Sequence, residues 1–204
     1  MVKLILSFIV TSTLVSLTSF AEAPKKKFLK LNPSRTINVY GPIKNLGPHS
    51  KKMIKLSENN KKPIYVTIDS YGGNVLGGVE FIQAIDRVRS RGIKVKCVVT
   101  GASMSMATHI LAACSHRYAL PTSLIMWHPM AISVAFARLT EVNTDQMNNQ
   151  LQLLSRYLDV RLRSALGISE AKYRKYEKGE YIMFAADIKR RVAPDFLSIV
   201  EDVR

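Results

Sequence analysis

Twice between Ile64 and Ala113, a run of β-branched and aromatic residues ends in glycine and gives way to apolar residues at helical spacing. The first run, Ile64 to Ile68, stops at Asp69-Ser70-Tyr71-Gly72-Gly73 and is followed by Val75, Val79, Ile82, Ile85 and Val88. Arg91-Gly92 ends that helix. Ile93 to Thr100 then repeats the strand pattern, and Gly101 opens a small-residue turn into an apolar helix, Met104 to Ala113. Strand, glycine turn and helix in succession predict an α/β fold of βαβ units with a parallel sheet, and glycine turns at the ends of such strands tend to form sites.

The flanking sequence extends this grammar. Thr36 to Tyr40 reads as a short strand, residues 47–62 as a helix, and Arg117 to Leu120 and Ser123 to Trp127 as two short strands separated by Pro121. A long helix is predicted from about Ala137 to Ala165, capped by Gly167. A short helix at Ser169 to Glu177, a turn at Gly179, a strand at Tyr181 to Phe184 and a helix from about Ala186 complete the chain.

The N-terminus has the form of a secretory signal: Lys3, an apolar stretch from Leu4 to Phe20 diluted by Ser and Thr, and small residues Ser19 and Ala21 before a cleavage point. The stretch falls short of the roughly 20 apolar residues of a span, and no later segment is long and apolar enough, so no stable membrane span is expected after cleavage. Residues 1–21 are therefore expected to be a signal peptide, 22–35 a flexible basic arm and 36–204 one domain, in an exported protein. With 47% hydrophobic residues, 10 Gly and 8 Pro in 204, collagenous, low-complexity and wholly disordered classes are excluded. The formal charge of +15 is spread along the chain without an aromatic-rich motif or a zinc pattern. It reads as a solvated basic surface, and no nucleic acid partner is expected. Export would place Cys97 and Cys114 in an oxidising compartment, where they could form one bridge or remain two buried thiols.

Three segments converge in this topology: Asp69 to Asn74, Gly101 to Ala107 and Met126 to Met130. Ser105 falls at a helix start, where it can be a nucleophile beside unpaired N–H groups or simply a helix cap. A nucleophile needs a base. His128, between an apolar strand and Pro129, is the best candidate, with His109 a competitor four residues after Ser105 on the same helix face. His49 and His116 sit in loop contexts.

These segments together resemble the proteolytic subunit of the Clp protease and its relatives in the ClpP/crotonase superfamily. The pieces are Ile68-Asp69-Ser70-Tyr71-Gly72-Gly73, Gly101-Ala102-Ser103-Met104-Ser105-Met106-Ala107, Ile110-Leu111-Ala112-Ala113 and Met126-Trp127-His128-Pro129. Their order and spacing extend the likeness over about residues 36–200, and the long helix resembles the family's handle helix. The resemblance selects Ser105 over Ser103 as nucleophile, His128 as general base, and the N–H groups of Gly73 and Met106 as oxyanion donors. The family's acid position falls on Gly179, beside Glu180, which the resemblance therefore nominates as third triad member, with Glu177 as fallback. The glycine-rich segment that follows the family's histidine is replaced by Ala131-Ile132-Ser133. The resemblance implies a serine peptidase acting on peptides or unfolded proteins, a homo-oligomer, no cofactor and no metal. Export would separate it from a cytoplasmic ATPase. The rival readings are a catalytically silent assembly or binding module of the same fold, and acyl-CoA chemistry of the crotonase type.

Overall fold

The computed structural model describes residues 27–130 and 141–204. The expected signal peptide at 1–21 and the Ala131-Ile132-Ser133 segment lie outside the described residues. Nine strands and six α-helices are described: β1 Phe28–Leu29, β2 Thr36–Tyr40, α1 Gly47–Asn59, β3 Ile64–Ser70, α2 Val75–Ser90, β4 Val95–Met104, α3 Met106–Ala113, β5 His116–Ala119, β6 Leu124–Met126, α4 Glu141–Leu166, α5 Glu170–Gly179, β7 Met183–Phe184, α6 Ala185–Asp187, β8 Ser198–Ile199 and β9 Asp202–Val203.

The main sheet has seven strands, with β2, β3, β4, β5 and β8 parallel in that order. β4 serves two partners in succession. Its first half pairs with β5, its last three residues pair with β6, and β7 runs antiparallel against β6. One face of the sheet is the main core. Ile64, Val66 and Ile68 alternate inward along β3, and α2 lays Phe81, Ile82, Ile85 and Val88 against them. Asn74 caps α2, its side chain accepting from the Gly77 N–H at 2.8 Å. The fold is thus the α/β architecture with a parallel sheet that the sequence pattern predicts.

The flexible basic arm expected at 22–35 does not hold over residues 27–35. β1 pairs with β9, the Leu31 N–H donates to the Arg204 carbonyl, and Leu29, Val98 and Val200 make a small second core on the other face of the sheet. Arg35 is buried, and its guanidinium donates to the carbonyls of Pro63, Leu56 and Lys62. A segment that buries an arginine on three carbonyls is an integral part of the domain.

The second strand–turn–helix unit also differs from expectation. The strand runs on through Met104, where a helix was expected to begin, and the helix starts at Met106. The cause is an irregularity in the ladder. Between Ile68↔Val99 and Ser70↔Ser103, β4 advances two residues further than β3. The Asp69 carboxylate holds the bulged chain by accepting from the Ala102 N–H at 2.9 Å, directly against Gly101, where a side chain would collide with it. Ser103, expected in a turn, is consequently a fully buried strand residue.

Cys97 on β4 and Cys114 after α3 are joined in a disulfide, with both residues buried. The loop it closes contains the β4–α3 junction. Replacing both cysteines with alanine should lower the unfolding free energy by about 3 kcal/mol on the chain-entropy argument, read from urea denaturation under non-reducing conditions. An unchanged midpoint would show that the crosslink contributes nothing.

Candidate active site

The β4–α3 junction is built around Ser105, whose backbone has φ 53° and ψ −125°, a conformation that ordinary L residues avoid. Three contacts hold it there. The Ser105 N–H donates to the Met126 carbonyl at 2.9 Å, and the Thr108 hydroxyl lies within hydrogen-bond distance of the Ser103 and Met126 carbonyls. Gly72, with φ 93°, lies so close that a Cβ there would come within 2.7 Å of the Ser105 Cβ and the Met104 carbonyl oxygen. Only glycine permits that approach. Gly73, with φ 139°, is pinned by Ile43, whose N–H donates to the Gly72 carbonyl and whose carbonyl accepts from Asn74. The Gly73 N–H takes no part in that pairing.

The Ser105 side chain makes no capping bond to α3. Its Oγ lies 2.8 Å from His128 Nε2. The other ring nitrogen, Nδ1, lies 2.7 Å from the Pro129 carbonyl oxygen. A carbonyl can only accept, so Nδ1 carries the proton and Nε2 presents a lone pair to the serine hydroxyl. This is the tautomer a general base requires. The loop bearing His128 is anchored by Trp127, which is buried and stacked on Tyr173 with ring centroids 6.0 Å apart. Met106 supplies the first backbone N–H of α3, and it lines the same cavity as Ser105, His128 and Gly73.

The structure brings Ser105, His128, Gly73 and Met106 together, and it does not bring Glu180 to them. Glu180 is an exposed residue at the C-terminal end of α5, in a left-handed conformation with φ 46°, and the place beside His128 Nδ1 belongs to the Pro129 carbonyl. Glu177 is no substitute, because it is buried in an ion pair with Arg174 at 2.6 Å. Ser103 Oγ is buried and, among the described residues, has no hydrogen-bond partner.

Of the further residues that line the cavity, two are ionisable, His109 and Asp159. The hydrogen bond to Ser105 Oγ belongs to His128 and not to His109. The His109 residue is buried and forms part of the cavity wall, and burial depresses its pKa to about 4. Asp159 on α4 stands opposite, accepting from the Tyr173 hydroxyl and from Arg174, each at 2.9 Å. Sequence reasoning passed over Asp159 because it sits among the charges of a long helix. The available signal was its place beside Leu158, on the stripe that Leu158, Leu162 and Leu166 bury at intervals of four residues.

The sequence model of the Clp protease family matches residues 21–191. The chain belongs to the Clp protease family. Its relatives include the ATP-dependent Clp protease proteolytic subunit 3 of Synechococcus sp. strain CC9605, 30% identical over 135 residues that cover 65% of each chain. A second is the proteolytic subunit 2 of Prochlorococcus marinus strain MIT 9312, 29% identical over 135 residues, 65% of this chain and 64% of the relative. The similarity thus spans just under two thirds of these relatives' length.

The buried His109 carries a stability consequence. Its folded pKa, about 4, lies below the ordinary value of 6.5, so the unfolded chain takes up a proton that the native state refuses. Its contribution to stability should fall as pH drops from about 6.5 towards 4, by up to about 3 kcal/mol. His109→Phe should flatten that part of the stability–pH curve, as measured by urea denaturation at several pH values.

Proposed function

We propose that this protein is a serine peptidase that acts by acyl transfer, and the observation that carries the reading is Ser105 Oγ set 2.8 Å from a His128 held in the base tautomer. Ser105 attacks the scissile carbonyl while Nε2 takes the hydroxyl proton. The tetrahedral oxyanion is received by the N–H groups of Gly73 and Met106. His128 returns the proton to the leaving amine, and water then hydrolyses the acyl-enzyme by the same path in reverse. The substrates are peptides or unfolded protein segments.

Export is part of the proposal, and the Cys97–Cys114 bridge supports it, since such bridges persist in oxidising compartments. An exported peptidase has no cytoplasmic ATPase to unfold its substrates, so it acts on chains that are already unfolded or short. A homo-oligomer is supported by α4, which leaves Leu153, Tyr157 and Val160 exposed on one chain. The rival reading, a silent member of the fold that assembles or binds, is favoured by the Pro129 carbonyl, in place of any carboxylate among the described residues, on His128 Nδ1.

A fluorophosphonate should label the protein at Ser105, and Ser105→Ala should abolish both labelling and peptide hydrolysis. An unlabelled wild-type chain with intact secondary structure would favour the silent module. Glu180→Gln should leave the labelling rate within about twofold of wild type, since surface changes away from the site have small effects. A collapse on that substitution would restore Glu180 as the acid. Light scattering on the mature chain should give a mass several times that of one subunit; a monomer at micromolar concentration would sink the assembly without touching the chemistry.

A further inference from the structure

We propose that the cavity beside Ser105 selects peptides whose residue before the scissile bond carries a cationic, hydrogen-bond-donating side chain, and that Asp159 is the residue that recognises it. The inference rests on the serine-peptidase reading and names its substrate class.

The argument starts from space. Next to the Ser105–His128 pair lies a cavity of about 60 Å³, with His109, Leu158 and Asp159 in its wall. It shares Met130 and Asp159 with a larger cavity of about 620 Å³, which Tyr173, Arg174 and Glu177 help to line. Asp159 is thus the carboxylate common to the cavity at the Ser105–His128 pair and to the larger one beside it, a setting that suits a long side chain with a polar end.

Charge then decides the character of that end. Asp159 and Glu177 have side chains only 11% and 4% exposed, and both pair with the same guanidinium, Arg174, at 2.9 and 2.6 Å. Two buried carboxylates thus face one cation. The other arginines of the larger cavity do not redress this: Arg163 is paired with Glu170 at 3.0 Å, and Arg156 is exposed, where solvent screens it.

A buried acceptor is also left over: among the described residues, Glu177 Oε1 has no hydrogen-bond partner. A site with a surplus buried acceptor and a surplus negative charge fits an ammonium or guanidinium. An alkyl chain of equal length would leave that acceptor unpaired, and a carboxylate would add a third negative charge.

The test uses the full mature chain and two diphenyl phosphonate probes that differ only in the side chain presented to the cavity, lysine in one and norleucine in the other. Adduct formation is timed by intact-protein mass spectrometry. The lysine probe should react roughly tenfold or more faster than the norleucine probe. The ratio of the two rates cancels differences in the amount of folded protein, so it can be read in variants. In Asp159→Asn it should fall towards one, and in Glu177→Gln it should fall in part. Equal rates in wild type, faster norleucine, or a ratio that survives Asp159→Asn would overturn the inference. A simple fluorophosphonate separates the levels: no labelling at Ser105 defeats the peptidase reading itself, whereas labelling with equal probe rates defeats only the specificity.

Discussion

The site depends on one peptide unit, the turn at Ser105, which is held in a backbone conformation that by itself is unfavourable by roughly 1–3 kcal/mol. Everything adjacent is arranged to overcome that preference. The bulge fixed by Asp69 sets how far β4 has advanced when it reaches the turn, and Gly72 yields the space the serine needs. The Met126 carbonyl accepts the Ser105 N–H, so the strand that leads to His128 is bonded directly to the backbone of Ser105. The strained serine and the histidine are therefore positioned by one hydrogen-bonded unit, and a shift in either would move both.

The disulfide belongs to the same device. Cys97 lies on β4 before the bulge and Cys114 lies at the end of α3, so the bridge closes the chain segment that contains the turn. Both cysteines are buried. Limiting the excursions of β4 and α3 relative to each other favours the folded state of a loop whose own local preferences oppose it.

How far these features were legible in the sequence varies with the range of the interactions that determine them. The glycine turns and the strand–helix alternation are written in local residue types and spacing, the choice of Ser105 and His128 came from the family resemblance, and the structure has the turns, the alternation and the Ser105–His128 contact in place. The start of α3 was displaced because an irregularity in sheet register, stabilised by Asp69 from a neighbouring strand, extends β4 by tertiary contact. Residues 27–35 look like a solvated arm by composition, yet Arg35 finds three carbonyls that no local pattern could disclose. Glu180 was nominated by its nearness in sequence to a family position, and it lies exposed at a helix end. The acidic residue that does reach the cavity, Asp159, is concealed in sequence by the charged helix around it.

The replacement of a carboxylate by the Pro129 carbonyl divides two roles usually held by one group. A hydrogen-bond acceptor on Nδ1 must select the tautomer and orient the ring, and a neutral carbonyl does both as well as a carboxylate does. It cannot match a negative charge in stabilising the imidazolium that the proposed attack by Ser105 would form. The proposed mechanism would therefore lean more on the remaining contributions: the prepositioned serine, the two backbone donors at Gly73 and Met106, and the fit of the side chain beside the scissile bond. Asp159 lines the same cavity as His128, where it contributes negative charge without a hydrogen bond to the ring. A cationic side chain drawn into that cavity would offset part of this charge on binding, so the residue that confers selectivity on such a site also ties its electrostatics to the substrate it accepts.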